Sequence, residues 1–274
     1  MNKSLRVLAV ILCFIVLMCT FMACTKPADN VEIEEENKPQ EYIEEEDIEI
    51  SQISITEQID SITFGKYPQT ITPDIHVAID QDYNGYYLGT DRNLYAPKDG
   101  SYYKVEDVVW DAFKLESGDI LLVSQKILFT ARFDDYHDYF ERERQVFDFK
   151  GFIFTDEESA KIKYSGVEYG YNVTNSAKFK TRMFFLNIDA IMTSYPSAQK
   201  VLKKPTDYCI NELEVSEYGY ATWWIAPEHG KNYYISLEGT ISNKNNTYLG
   251  YLGNYPSIRY SVRGIAPAMV ISAN

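Results

Sequence analysis

VVWDAFKLESGDILLVS, residues Val108 to Ser124, contains two apolar runs separated by a polar turn. Val108 to Phe113 and Asp119 to Ser124 flank Glu116-Ser117-Gly118, which is the pattern of two strands joined by a short hairpin loop. Ile120-Leu121-Leu122-Val123 is apolar at every position, so both faces of that strand need cover and it belongs in the interior of a sheet. A second hairpin is predicted at Tyr233-Tyr234-Ile235-Ser236-Leu237, turning at Glu238-Gly239 into Thr240-Ile241-Ser242. Ser61 to Gln69 alternates as a first strand and is expected to stop at Gly65 and Pro68, while Arg263 to Ile271 reads as the last strand.

Helical signals are few. Thr155-Asp156-Glu157-Glu158 is a capping box whose helix should end by Gly166. Met183-Phe184-Phe185-Leu186 reads as a strand leading to Asn187, the N-cap of a brief helix that closes ahead of Pro196. Asp80 to Tyr103, rich in Tyr, Gly, Asp and Asn, is too polar to be core and too aromatic to be disordered. About two short helices among many strands make the fold class α+β.

The N-terminus has a different character. Lys3 and Arg6 precede an apolar run from Val7 to Met22, followed by Ala23-Cys24, as in a secretory signal. Residues 1–23 therefore resemble a bacterial lipoprotein signal peptide, with Cys24 the expected site of lipidation and the mature N-terminus. The run is shorter than the roughly 20 residues that span a bilayer. Residues 24–60 are expected to form a disordered acidic tether, because thirteen acidic residues stand there against Lys26 and Lys38. Fully extended at ~3.3 Å per residue, it could reach roughly 120 Å. The chain as a whole carries −14, and with no basic face to neutralise phosphates, nucleic acid is not an expected partner. The expected location is extracytoplasmic, held at the membrane through Cys24. Of the four cysteines, only Cys209 lies in the body, so it is read as a lone buried thiol.

Ile62 to Gln69, Tyr102 to Glu106 leading to Trp110, Ile120 to Ser124, Phe154 to Glu158 and Phe185-Leu186 occur in that order. Pro205 to Tyr208, Trp223-Trp224 and Val262 to Ala268 follow. This ordered set, over residues 61–274, resembles the bacterial domain of unknown function 6273, a family similar to the C-type-lectin-like fold. The resemblance implies a strand-rich domain whose long irregular loops carry a ligand surface, and it implies no established activity. The chain departs from the family after the paired tryptophans, where Ile225-Ala226-Pro227 replaces Leu-Arg-Ser-Pro-Gly.

Neighbouring residues of a strand face opposite ways, so Trp223 and Trp224 cannot enter one layer together. One indole is expected in the core and the other against the loop layer, where it could meet a ligand. Tyrosine is plentiful, 23 in all, and suits loops that bind proteins or sugars; pinning the loops to the core is the competing use. The candidate ligand-binding residues are Trp223, Trp224, Tyr233, Tyr248, Tyr251, Tyr255, Arg259 and Arg263. No metal site is expected, because His76, His137 and His229 have no ligand-spaced companions, and no cofactor or catalytic residue is assigned. The expected function is non-catalytic binding of a surface protein or glycan. Two alternatives stand beside it: an enzyme acting on envelope polymers through the carboxylates Asp134, Asp135, Asp138, Glu141 and Glu143, and a purely structural envelope lipoprotein.

Overall fold

A computed structural model describes residues 48–49, 53–73, 77–81, 85–132, 151–170, 176–228, 231–243 and 262–273. All lie within the unit Glu46–Asn274. The strands are β1 (Ile48–Glu49), β2 (Ile55–Thr72), β3 (Val77–Gln81), β4 (Tyr87–Gly89), β5 (Leu94–Lys98), β6 (Ser101–Leu115), β7 (Ile120–Ser124), β8 (Lys126–Ile127) and β9 (Phe129–Arg132). They continue with β10 (Ser165–Gly170), β11 (Ser176–Thr181), β12 (Lys204–Pro205), β13 (Trp223–Glu228), β14 (Lys231–Ile235), β15 (Ile241–Asn243), β16 (Val262–Ile265) and β17 (Ala268–Ile271). The helices are α1 (Asp156–Lys161), α2 (Ile188–Ser194), α3 (Ala198–Val201) and α4 (Asp207–Ile210). The class is strand-rich α+β.

The hairpin read from Val108 to Ser124 is the pairing of β6 with β7, with Trp110 opposite Ser124 and Lys114 opposite Ile120. Its turn closes by Leu115 N–H to the Asp119 carbonyl at 2.9 Å, with Gly118 at φ +89°, a conformation glycine adopts without steric cost. β7 lies between β6 and β17 in a seven-stranded sheet ordered β17-β7-β6-β5-β4-β3, with β2 on the other side of β6. Leu121, Leu122 and Val123 are wholly buried, as an interior strand apolar on both faces requires. A five-stranded sheet, ordered β15-β14-β13-β16-β9, carries the second predicted hairpin, with Ile235 opposite Ile241. Two smaller sheets, β1-β10-β11 and β12-β8, complete the strand pairings among the described residues.

Several expectations are corrected. β2 does not stop at Gly65 and Pro68; it runs from Ile55 to Thr72 along β6, with register shifts at Thr63/Lys66 and Pro68/Thr70. Bulges absorb the glycine and the missing proline donor. The same strand moves the edge of the folded body, because Ile55, Glu57, Gln58 and Ile59 pair with β6 instead of belonging to the tether. The last strand is two strands in two sheets, broken at Ala266-Pro267, and the Pro267 carbonyl accepts from Ser124 N–H at 3.0 Å. Met183, Phe184, Phe185 and Leu186 are wholly buried but make an isolated bridge, Phe184 to Ala268, instead of a regular strand. Asp80 to Tyr103, read as too polar for the core, contributes β4, β5 and the start of β6, with Tyr86, Tyr95 and Tyr103 buried.

Both predicted helices are present. Thr155 caps α1: its hydroxyl accepts from Glu158 N–H at 3.1 Å, while the Glu158 carboxylate accepts from Thr155 N–H at 2.8 Å. The other oxygen of Glu158 accepts from Gly65 N–H at 2.8 Å, tying the cap to β2. Asn187 caps α2 through Ala190 N–H at 2.7 Å. Two further helices, α3 and α4, are each four residues long. One turn is too short to leave a periodic apolar pattern, which is why the expectation of about two helices falls short. No helix among the described residues is long and apolar enough to cross a membrane.

Candidate functional site

A gap along one edge of β6 creates the site. On that edge β5 pairs with residues 101–104 and β7 pairs with residues 110–114, so the stretch between them has neither strand as partner. A cleft of about 260 Å³ lies there, lined by Gln69 and Thr70 from β2, residues 106–109 of β6, and residues 124–126 with Leu128 from the segment that ends β7 and follows it. Its volume is just under the roughly 300–1,000 Å³ usual for small-molecule sites.

The cleft is built by hydrogen bonds. Buried Gln69 donates through Nε2 to the carbonyls of Glu106 (3.2 Å) and Asp107 (2.7 Å), satisfying backbone groups that neither β5 nor β7 reaches. Its Oε1 receives Lys126 Nζ at 3.3 Å. Thr70 donates to Glu106 Oε2 at 2.6 Å, and Asp107 Oδ1 lies 3.2 Å from Lys66 Nζ. Ser124 donates to the Lys126 carbonyl at 2.7 Å, fixing the bend that brings Gln125 and Lys126 to the rim.

Gln125 connects the cleft to a buried polar cluster. Its Nε2 donates to Asp111 Oδ1 at 2.9 Å. Asp111 Oδ2 accepts from Tyr195 at 2.6 Å and lies 3.4 Å from Lys203 Nζ, which itself lies 3.3 Å from the Tyr195 oxygen. The ammonium also stands 4.9 Å from the Tyr195 ring centre and 5.7 Å from that of Trp223, a cation–π arrangement that partly replaces lost water. Burial lowers the Lys203 pKa to about 8, against the opposing pull of Asp111. Tyr195 is pushed well above its usual value, by burial first and by Asp111 second.

Trp223 and Trp224 are both wholly buried. They do face opposite ways: the Trp223 indole donates to the Val201 carbonyl at 3.1 Å on one side, and Trp224 donates to the Ala131 carbonyl at 3.0 Å on the other. The five-stranded sheet is thus covered on both faces at this point, so neither indole presents a surface to a ligand. Arg263 joins Trp224: its guanidinium stands 4.8 Å from the Trp224 ring centre and 3.8 Å from that of Tyr234. Arg263 is buried, and its Nε and Nη1 have no hydrogen-bond partner among the described residues. Burial lowers its pKa, while a hydrogen bond with Tyr234 opposes the shift.

Of the sequence-predicted residues, the structure brings Trp224 and Arg263 together, with Trp223 beneath the opposite layer and Tyr233 half-buried on β14. Cys24, Tyr248, Tyr251, Tyr255 and Arg259 lie outside the described residues. So do His76, His137, His229 and the carboxylates from Asp134 to Glu143. Cys209 is buried, and burial raises its thiol to about 11. Among the described residues no group of three or more His, Cys, Asp or Glu side chains is placed to hold a metal ion.

The cleft residues were not singled out from sequence, although a signal was present. Gln69, Glu106 and Ser124 each end one of the short stretches that carry the family resemblance. Fold and cleft together define a strand-rich α+β domain with a polar surface site at a gap in its main sheet. No family model, curated protein or solved structure matches the chain.

Proposed function

We propose that this is the ligand-binding domain of a lipid-anchored extracytoplasmic protein, that its fold is C-type-lectin-like, and that it recognises a glycan or protein without catalysing a reaction. The observation that carries the reading is the cleft between β5 and β7. Its lining of amide, hydroxyl, carboxylate and ammonium groups can fix the orientation of a polar ligand. Lys203, Tyr195 and Cys209, whose pKa values burial shifts, are instead buried in the core, where Lys203 and Tyr195 hold Asp111. The lipobox-like Ala23-Cys24 and the acidic stretch after it support the anchored location, and the ordered motif set supports the family.

The binding test is titration of the full chain, in detergent, with fragments of envelope glycans and with surface proteins. Saturable binding that Gln69→Ala or Gln125→Ala weakens is the expected result. Saturable binding that neither substitution changes would move the ligand surface elsewhere. Lipidation is tested separately: a labelled fatty acid should enter the native chain and not a Cys24→Ala variant. A purely structural role is the second reading, and the sealing of both Trp223 and Trp224 favours it. It predicts no saturable ligand in the same titrations.

A further inference from the structure

We infer that the cleft selects an uncharged, hydroxyl-rich saccharide over the same saccharide carrying ammonium or carboxylate groups. This ligand class rests on the binding reading above and sharpens it.

The charges around the cleft balance, and each is already engaged. Asp107 Oδ1 lies 3.2 Å from Lys66 Nζ. The two that remain in the lining, Glu106 and Lys126, are of opposite sign. Glu106 Oε2 accepts from the Thr70 hydroxyl at 2.6 Å, and the Lys126 ammonium donates to Gln69 Oε1 at 3.3 Å. A ligand of either charge would give up water here without meeting a surplus of the opposite sign. The cleft therefore gives no electrostatic advantage to an anion or to a cation.

The hydrogen-bonding groups left over are of both kinds. Gln125 spends its NH₂ on Asp111 Oδ1, which leaves Oε1 as an open acceptor. Asp111 cannot swing away to release it, because Tyr195 and Lys203 hold its other oxygen. Glu106 keeps Oε1 as a second acceptor, since Thr70 takes only Oε2. Lys126 spends one N–H on Gln69 and keeps two as donors. A hydroxyl donates and accepts at once, so neighbouring hydroxyls on one ring can give to these oxygens and accept from the ammonium. An ammonium only donates and an ionised carboxylate only accepts, so either leaves one kind unanswered. The lining also holds an exposed apolar residue, Val109, whose carbonyl accepts from Gln125 N–H at 3.1 Å. The C–H face of a pyranose ring can rest on the Val109 methyls while its rim hydroxyls reach the polar groups beside them. A serine or threonine of a protein ligand brings a single hydroxyl, whereas a sugar ring holds several in fixed relation at small entropic cost.

The test is calorimetric titration of the full chain, in detergent, with three β-1,4-linked tetramers: of glucose, of glucosamine and of glucuronic acid. A pH of about 5.5 keeps the amines protonated and the carboxylates ionised. The glucose tetramer is expected to bind about three- to tenfold more tightly than either charged one, which is what one unanswered hydrogen bond is worth. Glu106→Gln leaves Lys126 without its opposing charge and should turn the preference toward the glucuronic acid tetramer. Lys126→Met leaves Glu106 unopposed and should turn it toward the glucosamine tetramer. A merely structural role for either residue would weaken all three tetramers alike. A charged tetramer that binds the native chain as tightly as the neutral one, or a preference that neither substitution turns, would overturn the selection of uncharged sugar and leave glycan binding standing. Binding of none of the three would overturn this inference, and the proposed function then falls as well if the envelope-fragment titrations also show no ligand.

Discussion

Replacing Gly264 by alanine puts a methyl group where Ile127 already stands. A Cβ on Gly264 would lie 2.4 Å from Ile127 Cγ2, 2.8 Å from Cδ1 and 3.1 Å from Cγ1. Neither side can retreat easily. Gly264 N–H is bonded to the Thr222 carbonyl at 3.0 Å, and the Ile127 carbonyl accepts from Thr206 N–H at 2.9 Å, while Ile127 itself is wholly buried. Overpacking of this kind costs about 1–3 kcal/mol. Ile127→Ala removes all three clashing atoms and should cost about 2–5 kcal/mol, as transfer and cavity terms add. In the double variant the new methyl at position 264 enters the space that the isoleucine side chain vacates. The double variant should therefore be more stable than the sum of the two losses predicts, by about 1–2 kcal/mol. Urea unfolding at 25 °C, followed by fluorescence of the buried tryptophans, measures each corner of the cycle. Additivity within about 0.5 kcal/mol, or a neutral Gly264→Ala, would refute the close packing of β16 against β8.

Lys203 gives the domain a stability that rises with pH. Its folded pKa of about 8 lies below the ordinary 10.5, so between those values the unfolded chain holds a proton that the folded chain has released. Stability then increases across that window by on the order of 3 kcal/mol. Tyr195 acts in the opposite sense above its ordinary value of 10.0, where the unfolded chain ionises it and burial keeps it protonated in the fold. Chemical denaturation from about pH 7 to about pH 11 should show the rise and then the fall, and Lys203→Met should flatten the rise. Glu158→Ala should cost about 1–2 kcal/mol, since it removes both the return bond of the capping box and the tie to Gly65; a loss no larger than that of an ordinary surface substitution would mean the tie carries nothing. Cys209, buried with its thiol raised to about 11, should react with a thiol reagent only as fast as the chain unfolds. Fast labelling in native buffer would show that α4 opens on its own.

What could be read from the sequence is what neighbours within a few residues decide. The β6–β7 hairpin follows from two apolar runs around Gly118, and the cap of α1 from Thr155 and Glu158 three residues apart. The Asn187 cap and the Tyr233 to Ser242 hairpin have the same local origin. The opposite facing of Trp223 and Trp224 also follows from strand geometry alone.

Only the tertiary structure decided that both of those indoles are sealed. Whether a face of β13 is open or covered depends on Val201 and Ala131, which approach from distant parts of the chain. The cleft is decided in the same way. It exists because β5 and β7 share one edge of β6 and leave a gap, and it is polar because Gln69 crosses from β2 to satisfy the carbonyls left in that gap. Gln125 is held by Asp111, and Asp111 by Tyr195 and Lys203, through contacts between segments far apart in sequence. Local pattern sets the strands and their faces; the packing of distant segments sets which backbone groups are left over, and those leftover groups make the site.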